Sequence, residues 1–569
     1  MVVLLHVPLA QPQLESSRRR SILPPVTVGQ VPSIEAAPLE QGQPSPPIAS
    51  QKAAPLERDC RLSESILWQL QRNFYRQRSL DAWRTSDPVP YYVTTSPALV
   101  DASVKLAEAF LRDCSAREVP REPIYFIELG AGHGRFGYRF LKRFSQRAAG
   151  LDWTYVMTDL AERNLEFLES NPALRSYVDS GHLDFARFDI GQDSQLKLSH
   201  SRRVLQPGAS ASPLVIFANY VFDTLPQDAF YVQGGDLHEY RVTVSTGQPE
   251  PDLNDPAILT RAQVAFSRQG TAATHYSDSY SNAILDSYRQ RLPETSFSFP
   301  VVALECLRTL QRLSDGRLML VAADKAVTRA DQFATGLDPS GMTIHASHSF
   351  SMTVNFDAIA QHFRLHGGHA FHPPRDPQSL TVSTFVVGST PGDEFPETAR
   401  AYTETVGGFG PDDFYTAMGA LNGRWQSMQA EELFAFLHLA RGDDWVLGNC
   451  LPMLTALVPS LSEAQRRHLL SLVRDAWDAY LPIGEVHDRP FELGLLLYEM
   501  GCYADALELF NTSADVYGPQ PGTLYNIAAC LYRLSDNEKA LAAVNASLEL
   551  DPSFDAARAL RLMIEGARG

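Results

Sequence analysis

Cysteine is scarce in this chain. The six cysteines among 569 residues, Cys60, Cys114, Cys306, Cys450, Cys502 and Cys530, are scattered and form no CxxC pair. That fits a reducing compartment, the cytoplasm being the expected location, and gives no zinc-ligand pattern. Positive charge is also short: 49 Lys and Arg face 66 Asp and Glu, a formal charge of −17. That balance argues against nucleic acid as a partner, because such binders present a basic footprint. No apolar run approaches the ~18 residues of a membrane span, so no membrane partner is expected. The opening MVVLLHVPLAQPQ has a short apolar stretch with no basic residue before it, which argues against a secretory signal. What is present is size and apolar content. With 44% hydrophobic residues, a chain of this length makes about three or four domains with large cores.

Residues 1–58 are rich in Pro, Gln, Ser and Ala and poor in aromatics, the composition of a disordered tail. Arg18, Arg19 and Arg20 within it read as a solvated charge run, with a docking or targeting patch as the alternative. From 59 to 115 the apolar spacing is helical. Ser96 and Pro97 have the chemistry of a helix N-cap and first-turn proline.

The segment PIYFIELGAGHGRFGYRFLKRF, residues 123–144, is the organising element of the chain. An apolar run from Ile124 to Leu129, interrupted by Glu128, leads into Gly130, Gly132 and Gly134. Phe136, Phe140, Leu141 and Phe144 then recur at helical spacing. This is strand, tight turn and helix, the first unit of a doubly wound α/β domain. Glycines let the backbone approach a ligand closely, and the helix start offers free N–H groups. Gly132, Gly134 and Gly137 also spell GxGxxG, a dinucleotide signature that is weak when it stands alone. The register from Gly130, with Glu128 two residues earlier, resembles class I S-adenosylmethionine (SAM) methyltransferases. There the acidic residue helps hold the methionine end of the cofactor.

The second strand ends at Asp159, placed to accept hydrogen bonds from ribose hydroxyls. The third ends at Asp189, a position that contacts adenine in SAM enzymes. A helix N-cap is the alternative for both. LVIFA, residues 214–218, is a buried strand with Asn219 at its carboxyl end, where open α/β sheets bind ligands. A hairpin around Gly234 and Gly235 follows, then a polar stretch over 246–296 read as an irregular insertion. A fifth strand ends at Asp324. His345, His348, His362, His366, His369 and His372 cluster later, but no HExxH helix is present and Gly367 with Gly368 interrupts any helical face. No metal is expected.

The glycine turn with Glu128, the ANYVFDTLP run, the SFSMTVNFDAIAQHF run and the YVTTSPAL stretch together resemble the MidA-type methyltransferases, which include a mitochondrial complex I assembly factor. The resemblance covers roughly residues 85–390. It implies SAM as cofactor, held by Glu128, Gly130, Gly132, Gly134, Asp159 and Asp189. It also implies a seven-stranded sheet with a reversed last strand, and an acceptor side formed by Asn219, Tyr220 and Asp223. The family's known acceptor is a protein arginine, and its motif has Glu after Asn. This chain has Tyr220 there. A guanidinium is best held by carboxylates in bidentate geometry, so the departure leaves the acceptor open.

Beyond Pro391 the strand–helix alternation stops. Leu493, Gly494, Leu497, Gly501, Ala506 and Phe510 recur 34 residues later as Ile527, Ala528, Leu531, Ser535, Ala540 and Val544, the tetratricopeptide (TPR) period. The expectation is therefore a disordered tail (1–58), a helical segment (59–115) and a Rossmann-like seven-stranded methyltransferase domain (116–392). An all-α TPR-like domain (405–569, repeats at about 490–556) follows and binds a partner or substrate protein. The alternative is a catalytically inactive methyltransferase-like scaffold or assembly factor acting through its TPR region.

Overall fold

The computed structural model of the protein describes residues 54–84, 91–115, 123–208, 212–314, 316–333, 342–345, 349–377, 379–421, 424 and 427–566. The chain divides into two compact units, one over residues 34–417 and one that contains residues 418–569.

The first unit holds twelve principal strands. They are β1 (Ala54–Arg61), β2 (Ile124–Leu129), β3 (Trp153–Asp159), β4 (Leu183–Arg187), β5 (Leu214–Asn219), β6 (Asp228–Gln233), β7 (Asp236–Thr246), β8 (Gln263–Thr271), β9 (Thr295–Phe299), β10 (Leu318–Asp324), β11 (His369–Phe371) and β12 (Thr381–Val387). Seven of them form one sheet in the order β11-β12-β10-β5-β2-β3-β4. β10, β5, β2, β3 and β4 pair in parallel, whereas β12 lies antiparallel to both β10 and β11. The expected seven-stranded sheet with a reversed last strand is present. Every residue of β2 and of β10 is buried, as strands covered on both faces require.

Helices connect these strands: α1 (Ile66–Arg78), α2 (Asp81–Arg84), α3 (Pro97–Ser115), α4 (Arg135–Ser145), α5 (Glu162–Ser170), α6 (Ser279–Arg291), α7 (Val301–Leu313), α8 (Phe356–Leu365), α9 (Pro396–Glu404) and α10 (Pro411–Ala420). The aromatic period read in the sequence is the packing face of α4. Phe140 stacks on Phe144 and lies against Phe126, Tyr155 and Phe217. Gly137 lets that helix ride close on the sheet, because a Cβ there would come within 2.6 Å of both Glu128 Oε2 and Met157 Cε.

Two expectations are corrected by a second sheet. β1, β7, β6 and β9 pair in that order, and β8 adds to β7. Residues 246–296 are therefore not irregular: they supply β8, α6 and β9. Residues 54–58 of the expected disordered tail lie in β1, antiparallel to β7; residues 1–53, with the three arginines, fall outside the described residues. Both β1 and β8 sit at edges, and much of β8 is exposed. Such strands carry little apolar alternation to read.

The helical domain expected from residue 405 also begins later. Buried Asp113 accepts hydrogen bonds from Glu397 N at 3.1 Å and Thr398 N at 2.9 Å, and so caps α9. Phe395 stacks on Phe110, and Tyr402 donates to the Val382 carbonyl at 2.8 Å. These contacts hold α9 in the first unit. In the histidine-rich segment, His362 lies on α8, which ends at Leu365 before Gly367 and Gly368; His369 opens β11. His348 falls outside the described residues.

The described part of the second unit is helical: α11 (Ala430–Leu439), α12 (Asp444–Leu457), α13 (Glu463–Asp478), α14 (Arg489–Glu499), α15 (Tyr503–Tyr517), α16 (Pro521–Arg533), α17 (Asn537–Leu550) and α18 (Asp555–Gly566). α14 packs on α15 and α16 on α17. A Cβ on Gly494 would come within 2.8 Å of the Phe510 ring, and Ala506, Ala528 and Ala540 are fully buried. Small residues in these places let each pair approach closely. No described helix is long and apolar enough to cross a membrane.

Candidate active site

The carboxyl ends of β2, β3, β4 and β5 open into one cavity of about 760 Å³. Open α/β sheets bind ligands on this side, and the volume is within the range of small-molecule sites. Its walls include Glu128, Gly130, Gly132, Asp159, Asp189, Asn219 and Tyr220. Two residues expected in the site are not on its wall: Gly134 and Asp223.

The glycine turn explains the first exception. Gly130, Gly132 and Gly134 all have positive φ, at +64°, +54° and +78°. Only the first two face the cavity. A Cβ on Gly134 would stand 2.3 Å from Leu168 Cδ2 on α5, so this glycine serves helix packing. The turn is tied to the next strand by Asp159, whose carboxylate accepts from Gly132 N and Ala161 N, each at 2.8 Å. Burial raises the Asp159 acid, and those backbone donors oppose the rise.

Glu128 is buried, and the Tyr155 hydroxyl donates to it at 2.9 Å. Desolvation pushes it up to about 8; the Tyr155 bond lowers it and nearby Asp159 raises it. Without a cation at hand, Glu128 is thus mostly protonated at neutral pH. Asp189 has a cation beside it. Both its oxygens take the Arg72 guanidinium of α1, one at 3.1 Å from Nη1 and the other from Nη2.

On the other side of β2, the turn after β5 is held by β10. Tyr220 N donates to the Ala323 carbonyl at 2.9 Å. Asp324, fully buried, accepts from Phe222 N at 3.0 Å and Asp223 N at 3.2 Å. Tyr220 takes φ +51°, a left-handed conformation that a bulky residue adopts only when its surroundings impose it. Asn219 Nδ2 and Asp223 Oδ1 are buried without a hydrogen-bond partner among the described residues. Burial pushes Asp223 up to about 7, against the pull of Lys325. Asp324 is raised well above the usual range by burial and then by Asp223. The two carboxyls therefore do not both ionise readily.

Several wall residues escaped the sequence reading. Arg72 and Tyr75 come from α1, Trp83 from α2, and Tyr91, Thr94 and Thr95 from the turn before α3. A Cβ on Gly132 would meet the Trp83 ring at 2.9 Å, and His133 lies between the Trp83 and Tyr91 rings. α1 was legible as a helix, but no local pattern shows which strand ends it crosses.

Residues 105–322 match a family model described as "Putative S-adenosyl-L-methionine-dependent methyltransferase". The match runs from α3 into β10 and so takes in the glycine turn, Asp159, Asp189 and the turn after β5. The cofactor of that family is SAM, as expected from the sequence, and methyl transfer is the reaction class the match supports. No curated protein matches the chain. A crystal structure of a Burkholderia thailandensis protein is similar at 14% identity and TM-score 0.33, covering 61% of this chain and 88% of its own. A methyltransferase-like protein of that organism, bound to S-adenosylhomocysteine, has the same identity and TM-score and covers 61% and 84%. An O-methyltransferase family protein from Burkholderia thailandensis is 13% identical at TM-score 0.28 and covers 60% and 66%.

The residues present fit the methyltransferase cofactor. Two positive-φ glycines leave the turn without side chains toward the cavity, and carboxylates stand at the ends of β3 and β4. A third, Glu128, lies where a ligand cation would draw off its proton. A metal fits less well. Asp228, Glu239 and His275 bring ligand atoms within 4.8 Å of one another in the second sheet. Arg61 Nε already stands 3.0 Å and Arg241 Nη1 3.2 Å from Glu239, so two guanidinium charges offset the two carboxylates. Buried His362 is pushed down to about 3 by desolvation and stays neutral.

Proposed function

We propose that the protein is a SAM-dependent methyltransferase acting on a protein side chain, and that its helical second unit is a TPR-like module that binds the substrate or a partner protein. The observation that carries the reading is the cavity at the strand ends, with Glu128, Gly130, Gly132, Asp159, Asp189 and Asn219 on one wall system. Bound there, SAM supplies a methyl group on a cationic sulfonium, which leaves as a neutral thioether. Glu128 meets the amino group, Asp159 the ribose and Asp189 the adenine. Asn219 and Tyr220 face the acceptor, and Asp223 stands behind them. The aromatic cover from Trp83, Tyr91 and Phe136 keeps water from the cofactor. In the second unit, the 34-residue repeat and the close packing of Gly494 on Phe510 support the TPR reading. The six scattered cysteines, none in a CxxC pair, support a cytoplasmic location.

A second reading is a scaffold that binds the cofactor without turnover. It is favoured by Tyr220 in place of a carboxylate and by the Arg72 guanidinium on Asp189. Mass spectrometry decides between the two. The full chain is incubated with methyl-deuterated SAM and a protein extract, alongside Asp159→Asn. Deuteromethyl groups on a protein side chain, lost in the variant, are expected. S-adenosylhomocysteine binding with no labelled product gives the scaffold reading. A chain ending at Ala420 tests the tail: it should keep cofactor binding and lose labelling of the intact protein acceptor. Equal labelling by the shortened chain removes the recruiting role.

A further inference from the structure

We infer that the methyl acceptor is an uncharged hydrogen-bonding group, a hydroxyl or a carboxamide, received by Asn219, Tyr220 and Tyr75. The inference rests on the methyltransferase reading above and deepens it.

Strand order divides the cavity. β3 and β4, with Asp159 and Asp189, lie on one side of β2, and β5 lies on the other. The cofactor carboxylates therefore belong to one half, and the turn after β5 builds the other. The wall residues that this turn supplies include neutral Asn219, Tyr220 and Thr224, and Tyr75 of α1, which lies near Asp223 and Asp324, joins them. Both phenols are held protonated by burial and by Asp223 and Asp324 behind them. Asn219 adds a carboxamide to this wall, a group that can both donate and accept. Asp223 is the one acidic residue of the turn. It is absent from the wall, and its Oδ1 is shielded from solvent. Glu64 reaches the cavity only from an exposed position.

A guanidinium needs a coplanar carboxylate facing it, and burying one without that partner is costly. These wall residues offer none. They offer a carboxamide and two phenols, all of which both give and accept hydrogen bonds. In the transfer, a lone pair on the acceptor oxygen or nitrogen forms the new bond to carbon. The C–S pair stays on sulfur, and the acceptor's proton passes to water.

The test uses the full chain saturated with S-adenosylhomocysteine and two probes, propionamide and ethylguanidinium, followed by saturation-transfer NMR with titration. Propionamide should bind about tenfold more tightly, the worth of roughly one net hydrogen bond. Tyr220→Glu should reverse the preference by returning a carboxylate to the wall. Tyr220→Phe, which keeps the ring, should weaken propionamide about fivefold, and it carries the test should the glutamate variant fail to fold. Preference of the wild type for ethylguanidinium overturns the inference. So do binding of neither probe, and indifference of propionamide to Tyr220→Phe. Failure of S-adenosylhomocysteine itself to bind overturns the methyltransferase reading instead, and the two failures are separable in one sample.

Discussion

Glu128 offers the sharpest test of the cofactor half, because its chemistry couples ligand binding to a proton. Desolvation holds its acid at about 8 in the ligand-free protein, against the usual 4.5. At pH 7 about nine in ten molecules then carry the proton. An amino acid ammonium arriving beside it favours the carboxylate, so binding should expel that proton. The affinity for S-adenosylhomocysteine should therefore rise with pH, by up to about tenfold per unit below pH 8, and level off above it. Calorimetry at pH 7 in two buffers of different ionisation enthalpy should report release of about 0.9 proton. Glu128→Gln should flatten the pH dependence and abolish the release. It also separates Glu128 from Asp223, which titrates nearby. The same shift acts on stability. A carboxyl whose folded pKa lies above its unfolded value loses stability as pH rises between the two, here from 4.5 to about 8. At 1.36 kcal/mol per unit that is about 5 kcal/mol for a fully buried group. Ligand-free Glu128→Gln should thus melt higher than wild type at pH 8 and no higher at pH 4.5. Equal heats in both buffers, or an affinity independent of pH from 6 to 8, would refute the reasoning.

Three further outcomes are expected. Gly134→Ala should destabilise the fold by about 2–4 kcal/mol in urea, since its Cβ meets Leu168 at positive φ. Gly150→Ala, also at positive φ but open, should cost about 1 kcal/mol; equal costs would remove the packing role of Gly134. Arg72→Ala leaves Asp189 buried and unpaired, at a cost of about 3 kcal/mol. Saturating S-adenosylhomocysteine should then raise the melting temperature more in this variant than in wild type, and an equal rise would deny Asp189 a part in the site. Asp223→Asn removes the acid that helps raise Asp324, so the Asp324 carboxyl should titrate lower by carboxyl-carbon NMR in that variant, while Asp324→Ala should cost about 3 kcal/mol for its two orphaned N–H groups. An unmoved Asp324 titration in Asp223→Asn would show that the two carboxyls are not coupled.

Local pattern in the sequence determined the turn and strands that frame the site. An apolar run, alternate glycines and an aromatic helical period lie within 22 consecutive residues, and such short-range signals survive in one dimension. The parallel strands ending at Asp159, Asn219 and Asp324 were legible for the same reason: strands buried on both faces read as continuous apolar runs. The 34-residue repeat likewise needed no partner to be seen. Tertiary structure decided whatever rests on pairing across the chain. β1 forms on β7, which lies far along the chain, and half-exposed β8 has too little alternation to announce itself. Asp113 on α3 caps α9 and so draws it into the first unit, which runs to residue 417. Gly130, Gly132 and Gly134 look equivalent in sequence. Only the position of Leu168 turns the third into a packing residue. The acceptor half was similarly hidden, because whether Asp223 or Tyr220 faces the cavity depends on the hydrogen bonds that β10 and Asp324 make to the turn.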